Sequence, residues 1–263
     1  MKYSLINGER TEAQPGLSGQ CQICGRSTIA KCGEIKIWHW AHRGKRECDP
    51  WWENETEWHR TWKNYFPLDW QEIIQKDKNG ERHIADVKTA QGWVLEFQHS
   101  FLKPEERRVR NAFYEKLVWV VNGVRRARDK EQFFKLLNEL NPVIINPHMR
   151  KVFLDDCVLL REWSSIHVPV LFDFGEEVLW CLLPTSQSMW GYIVAFPRGE
   201  FIEIHNKSAD QTKNFEDLLN NLNTLVNLLS QQLIQARERS ALQTSGFPRH
   251  LVRKVGSRRH FRL

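Results

Sequence analysis

The residues with the clearest capacity for chemistry fall between His83 and Ser100, in the stretch HIADVKTAQGWVLEFQHS. Read with period-two alternation it is a β-hairpin, with Gln91-Gly92 in the connection. Its first short strand puts Ile84 and Asp86 on one face. Its second, Trp93 to Gln98, separates Trp93, Leu95 and Phe97 from Val94, Glu96 and Gln98. Glu96 and Gln98 therefore project side by side, and the hairpin can bring Asp86 next to them. Two carboxylates aimed at one point from otherwise apolar strands are costly to bury unless something positive lies between them. A divalent cation such as magnesium, which takes oxygen ligands, meets that need. Two half-exposed acids on an ordinary antiparallel sheet are the other reading of the fragment.

A second group of ligand-type residues lies upstream. Cys21-Gln-Ile-Cys24-Gly25 is the tight turn that lets two thiolates face one ion, and Gly25 permits the positive φ such a knuckle needs. Fourteen residues later His39-Trp-Ala-His42 supplies two imidazoles. Zinc tolerates mixed sulfur and nitrogen ligation, so Cys21, Cys24, His39 and His42 are the expected ligands of a structural zinc, with Cys48 or Cys32 able to replace one histidine. The spacing is not that of a DNA-reading finger. Free buried thiols beside histidines that cap a tryptophan-rich core are the alternative.

The elements that must position these groups follow from periodicity. Pro50 to Phe66 reads as a helix, with Asn54 or Thr56 near the N-cap and Pro67 as the stop. Glu55 and His59 are four apart and share a face, which by itself suits a surface hydrogen-bonded pair. Trp70 to Gln75 reads as a strand followed by a turn at Asn79-Gly80. After the hairpin, a helix from Pro104 to Lys116 opens on Glu105 and Glu106, and Leu117 to Asn122 (LVWVVN) suits a strand buried on both faces. Lys130 to Leu140 is a further helix. Val152 to Leu160, Val168 to Phe174, Val178 to Leu183 and Trp190 to Phe196 read as strands. A long amphipathic helix from Asp210 to Leu242 carries a broad leucine stripe, suited to docking on a domain or to self-association.

D-x(9)-E-x-Q after a helix bearing an acid resembles the PD-(D/E)xK nuclease core, in the variant with glutamine in place of lysine. With HWAH at 39 to 42, ENETEWHRTWK at 53 to 63, ADV at 85 to 87, EFQHS at 96 to 100 and EERRVRNAFY at 105 to 114, the chain resembles the competence protein CoiA-like family over roughly residues 1 to 205. That resemblance implies a metal-dependent deoxyribonuclease with Asp86, Glu96, Gln98, Glu55 and His59 at the catalytic centre. Asp86 and Glu96 would hold magnesium or manganese. Glu55 to His59 matches the family's E-[ST]-x-x-H, and Glu55 would add a carboxylate or a water-mediated link to the cation. Arg107, Asn111 and Tyr114 share a stripe that would face either the scissile phosphate or solvent. The implied role is DNA uptake and recombination or defence against foreign DNA. A non-catalytic module that grips single-stranded or branched DNA is the alternative.

The expected fold is mixed α/β. A zinc-binding module spans residues 1–50, a restriction-endonuclease-like core 51–141, a β-rich extension 142–208, the long helix 209–243 and a basic tail 244–263. With 41% hydrophobic residues and twelve tryptophans, global disorder is excluded. The chain has 38 Lys and Arg against 32 Asp and Glu, a formal charge of +6. Six of those cations (Arg249, Arg253, Lys254, Arg258, Arg259 and Arg262) stand in the last eighteen residues without an acid, so the remainder is balanced. Such a tail can contact DNA phosphates without reading sequence, and with Arg107 it forms the expected DNA-binding set. No stretch has signal-peptide or membrane-span character, so a cytoplasmic protein is expected, with self-association through the long helix as a further expectation.

Overall fold

The computed structural model describes residues 1–44, 48–51, 55–164, 167–184, 189–207 and 214–245. It divides into two compact units, Met1–Phe215 and Glu216–Leu263. The first begins with five short strands: β1 (Tyr3–Ile6), β2 (Glu9–Glu12), β3 (Ser18–Gln20), β4 (Ser27–Lys31) and β5 (His39–His42). They form an antiparallel sheet in the order β2-β1-β3-β4-β5. Asn7 and Gly8, both at positive φ, make the two-residue turn between β1 and β2, a geometry that these two residue types adopt at little cost. The Trp40 amide of β5 donates to the Met1 carbonyl at 2.9 Å, which curls the sheet into a half-barrel around the buried Trp40 indole.

The remaining elements of this unit build one mixed sheet. Helix α1 (Glu57–Asn64) is capped by Thr56, whose hydroxyl accepts from the His59 amide. Strands β6 (Gln71–Lys76), β7 (Arg82–Lys88) and β8 (Val94–Gln98) follow as an antiparallel meander. Helix α2 (Pro104–Phe113), with Pro104 in its first turn, crosses over to β9 (Leu117–Asn122), which lies parallel to β8. After α3 (Ala127–Glu139), β10 (Met149–Phe153), α4 (Val158–Trp163), β11 (Val170–Asp173), β12 (Val178–Leu182), β13 (Trp190–Pro197) and α5 (Arg198–Asn206) complete the unit. The order across the eight strands is β10-β13-β12-β11-β9-β8-β7-β6. All six residues of β9 are buried, as the continuous apolar run LVWVVN requires of a central parallel strand.

Helix α1 is tied to this sheet through one carboxylate. The indole nitrogens of Trp58 and Trp62 both donate to Asp173 Oδ2 at 2.9 Å, and Arg198 pairs with the same side chain. Burial works against the charge of Asp173, but these donors and the Gly175 amide hold its carboxyl below the ordinary range. Hydrogen bonds to a charged group contribute roughly 1.5–3 kcal/mol each, so this junction fixes the helix that faces the hairpin.

Several sequence expectations are revised. The helix expected from Pro50 starts only at Glu57, so Glu55 and Trp51 lie ahead of it. The strand expected over Val152 to Leu160 ends at Phe153, and its second half turns through Leu154–Asp156 into α4, because Leu159, Leu160 and Trp163 bury one helical face. The expected β-rich extension supplies strands β10 to β13 of the same eight-stranded sheet, with β11 parallel to β9. Helix α5 has no counterpart in the expected strand series. The long helix α6 is present as Phe215–Ser245; along it Leu219 and Leu222 are buried, and Leu228 and Ile234 are exposed. Among the described residues, no helix is long and apolar enough to cross a membrane.

Candidate metal centres

The thiols of Cys21, Cys24 and Cys48 and the imidazole of His42 converge, with ligand atoms all within 4.8 Å of one another. Cys21 Sγ lies 3.7 Å from Cys48 Sγ, and His42 Nε2 lies 3.4 Å from Cys24 Sγ and 3.5 Å from Cys48 Sγ. A tetrahedron with zinc–sulfur bonds of about 2.3 Å and zinc–nitrogen bonds of about 2.0 Å has edges of about 3.8 and 3.5 Å. These three separations match those edges and the rest are no longer than 4.8 Å, so the group could hold a structural zinc ion. No pair is close enough for a disulfide, and all six cysteines are free.

His39 is a correction. It and His42 are three residues apart on β5, and an odd separation along a strand sends side chains to opposite faces. His39 Nδ1 bonds the Ile37 carbonyl at 2.9 Å instead, and Cys48 takes the fourth corner. Cys32 stays outside the group.

The second centre is a small cavity of about 70 Å³ lined by Asp49, Glu55, His59, Lys63, Glu72, Asp86, Glu96, Phe97, Gln98 and Arg110, among others. All five residues expected at a catalytic centre (Asp86, Glu96, Gln98, Glu55 and His59) line it. The volume suits an ion and a few waters, well below the several hundred Å³ of sites that enclose a small organic ligand. The hairpin delivers the acids as alternation requires. Strands β7 and β8 pair at Val87↔Leu95 and Lys88↔Val94, and beyond that the Asp86 carboxylate takes over, accepting from the Phe97 amide at 2.9 Å.

Glu96 is the least compensated group in the cavity. It is 5% exposed, its Oε1 has no hydrogen-bond partner, and the nearest cation is Arg110 Nη1 at 3.7 Å from Oε2. Burial, then the neighbouring Asp86 charge, push its carboxyl up to about 8, with Arg110 pulling the other way. Gln98 is buried beside it, its Nε2 donating to the Ser100 carbonyl at 3.2 Å.

Glu55 sits differently from the expected metal-facing role. Its carboxylate is held by Lys63 at 2.6 Å and Arg60 at 2.7 Å, and against the cost of burial these cations keep it ionised far below the usual range. Lys63 in turn pairs with Glu72 at 3.1 Å. Burial disfavours its charge, but Glu72, Glu55 and Asp86 together hold it protonated beyond the ordinary lysine range. Glu72 adopts a φ of 48°, uncommon for a non-glycine residue, and accepts from the amides of Lys2 and Tyr3 at 2.7 and 3.1 Å. That one side chain joins the half-barrel to the rim of the cavity.

Lys63, Glu72, Asp49 and Arg110 escaped the sequence reading. Lys63 and Arg110 each sit on a helix otherwise read for its acids, and nothing local distinguishes them. Arg107 is not at the cavity: its guanidinium lies 5.6 Å from the Trp163 ring, and Arg110, one turn on, faces inward instead. Asn111 accepts from the Trp119 indole at 2.8 Å. Arg249, Arg253, Lys254, Arg258 and Arg259 lie outside the described residues.

Comparison with protein-family models, with curated proteins and with solved structures finds no match to this chain.

Proposed function

We propose that the chain is a metal-dependent nuclease that hydrolyses DNA phosphodiester bonds at the carboxylate cavity. The observation that carries this reading is Glu96, whose buried, unpartnered oxygen stands beside Asp86 where five carboxylates face Lys63, Arg110 and, behind Glu55, Arg60. Such an excess of buried negative charge calls for a cation that the chain itself does not supply. Asp86 and Glu96 would hold magnesium or manganese, and the ordered match to the competence protein CoiA-like motifs supports the same assignment. When bound, a divalent cation lowers the pKa of a water and offsets charge on phosphoryl oxygens.

The chain's own groups divide the remaining work. Gln98 stands where the wider superfamily usually has lysine. A carboxamide takes up no proton at neutral pH but can orient a water or a phosphate oxygen by hydrogen bonding. Lys63 cannot replace that lysine as a base, because its acid partners keep it protonated; it supplies positive charge at the cavity wall. Arg110 is placed to do the same on the other side, and His59 brings an imidazole, the side chain best suited to relaying a proton. Because the cavity holds no more than an ion and waters, the polymer would pass across its mouth. The basic tail would add contacts to phosphates that carry no sequence information.

The test is cleavage of linear, nicked, single-stranded and branched DNA by purified protein with magnesium or manganese. Wild type should cut at least one substrate, and Asp86→Asn and Glu96→Gln should each lower the rate by about 100-fold or more. DNA binding that survives EDTA, with no cutting in any metal, would favour a non-catalytic DNA-binding protein instead. For that alternative Trp40, Trp62, Trp93, Trp119 and Trp163 are buried in the core and could not stack on bases, whereas Trp38 and Trp190 are exposed.

A further inference from the structure

The thiolate group and the carboxylate cavity meet in one short segment. Cys48 supplies a thiol to the first; the next residue, Asp49, is 6% exposed and lines the second, as does Trp51. Asp49 spends both oxygens on holding neighbours. Its Oδ1 bonds His83 Nδ1 at 3.0 Å and accepts from the Trp51 amide at 3.0 Å, and its Oδ2 accepts from the Ile84 amide at 3.2 Å. Ile84 stands two residues before Asp86 on β7, on the same face.

Trp51 continues the wall. Its ring stacks on the His83 imidazole with centroids 3.2 Å apart and planes 7° from parallel. Its carbonyl accepts from Arg110 Nη2 at 2.6 Å, while Nη1 of the same guanidinium faces Glu96. Residues 48–51 belong to no helix or strand, so no ladder of backbone hydrogen bonds fixes them. Besides these two contacts of Trp51, they are held by Asp49 on one side and by the thiolate group around Cys48 on the other.

We propose that Asp49 is a positioning residue and that the metal held by Cys21, Cys24, His42 and Cys48 orders the wall of the carboxylate cavity through it. Filling the thiolate site then raises the affinity of the cavity for its own cation. Only this last step rests on the nuclease reading; the ordering of residues 82–86 by zinc stands apart from it. Groups behind the direct ligands of a metal typically change affinity by about 10–100-fold, which sets the scale.

The experiment compares the full chain loaded with zinc, the same chain stripped by a chelator, and zinc-loaded Asp49→Ala. Amide hydrogen exchange and manganese affinity are read on each. Stripping and Asp49→Ala should both speed exchange across residues 82–86 and weaken manganese binding about tenfold or more, while β9 stays protected. Should stripping expose β9 as well, zinc-loaded Asp49→Ala decides on the same two readouts. Unchanged exchange at 82–86 in both perturbed forms would overturn the proposal, and so would zinc-independent manganese affinity. Exchange that responds as expected in a chain that binds no manganese at all would support the ordering by zinc and remove the cation reading of the cavity.

Discussion

The two polar clusters of this chain solve opposite problems. The thiolate group is of the closed kind: three thiols and an imidazole converge within 4.8 Å, the four ligands that a structural zinc takes with no open position. The carboxylate cavity is open. Part of its negative charge is met by the protein's own Lys63 and Arg60, while Glu96 has only Arg110, 3.7 Å from one oxygen, and its other oxygen has no hydrogen-bond partner. Closed sites hold a fold together, whereas a site with an incompletely matched buried charge is where chemistry is to be sought.

The comparison can be broken at either end. The largest effect is expected from Cys24→Ser, because structural zinc contributes folding energy directly. Zinc content should fall from about one per chain to near zero, with several kcal/mol of stability lost by thermal or denaturant unfolding. Lys63→Met comes next. It removes the cation shared by the buried carboxylates of Glu55 and Glu72; Arg60 and the Lys2 and Tyr3 amides remain, so the cost should approach from below the roughly 3–5 kcal/mol of a broken buried pair. A much smaller loss would mean that water reaches these acids and that the cavity is less dry than its geometry implies.

Glu96 gives a pH test of the open site. Its folded pKa of about 8 lies above the ordinary 4.5, so between those values the folded chain keeps a proton that the unfolded chain releases. The contribution of Glu96 to cation-free stability should therefore be fully present below about pH 4.5 and be lost as pH rises through about 8. Glu96→Gln removes that slope and should stabilise the cation-free protein at pH 9 by an amount on the order of a few kcal/mol. The smallest effect belongs to His39→Ala, which should leave zinc content unchanged and stability within about 0.5 kcal/mol.

Alternation along the hairpin was enough to place Asp86, Glu96 and Gln98 at one cavity, because a side-chain period of two leaves little freedom once one face is buried. The same rule, applied to His39 and His42, would have excluded one of them; the pair looks like a ligand motif only if its backbone is taken as a turn. The central strand LVWVVN and the crossover helix beginning at Pro104 were equally legible. Lys63, Glu72 and Asp49 were not, since their roles depend on which distant segments meet: Glu72 on the amides of Lys2 and Tyr3, Asp49 on His83. Helix α4 replaced an expected strand end because Leu159, Leu160 and Trp163 suit either period over so short a run.

Manganese binding followed by electron paramagnetic resonance on zinc-loaded protein tests the central claim most directly. One tightly bound manganese per chain is expected in the wild type, lost in Asp86→Asn and in Glu96→Gln while zinc content is unchanged. Manganese bound equally well by all three proteins, or by none, would contradict it.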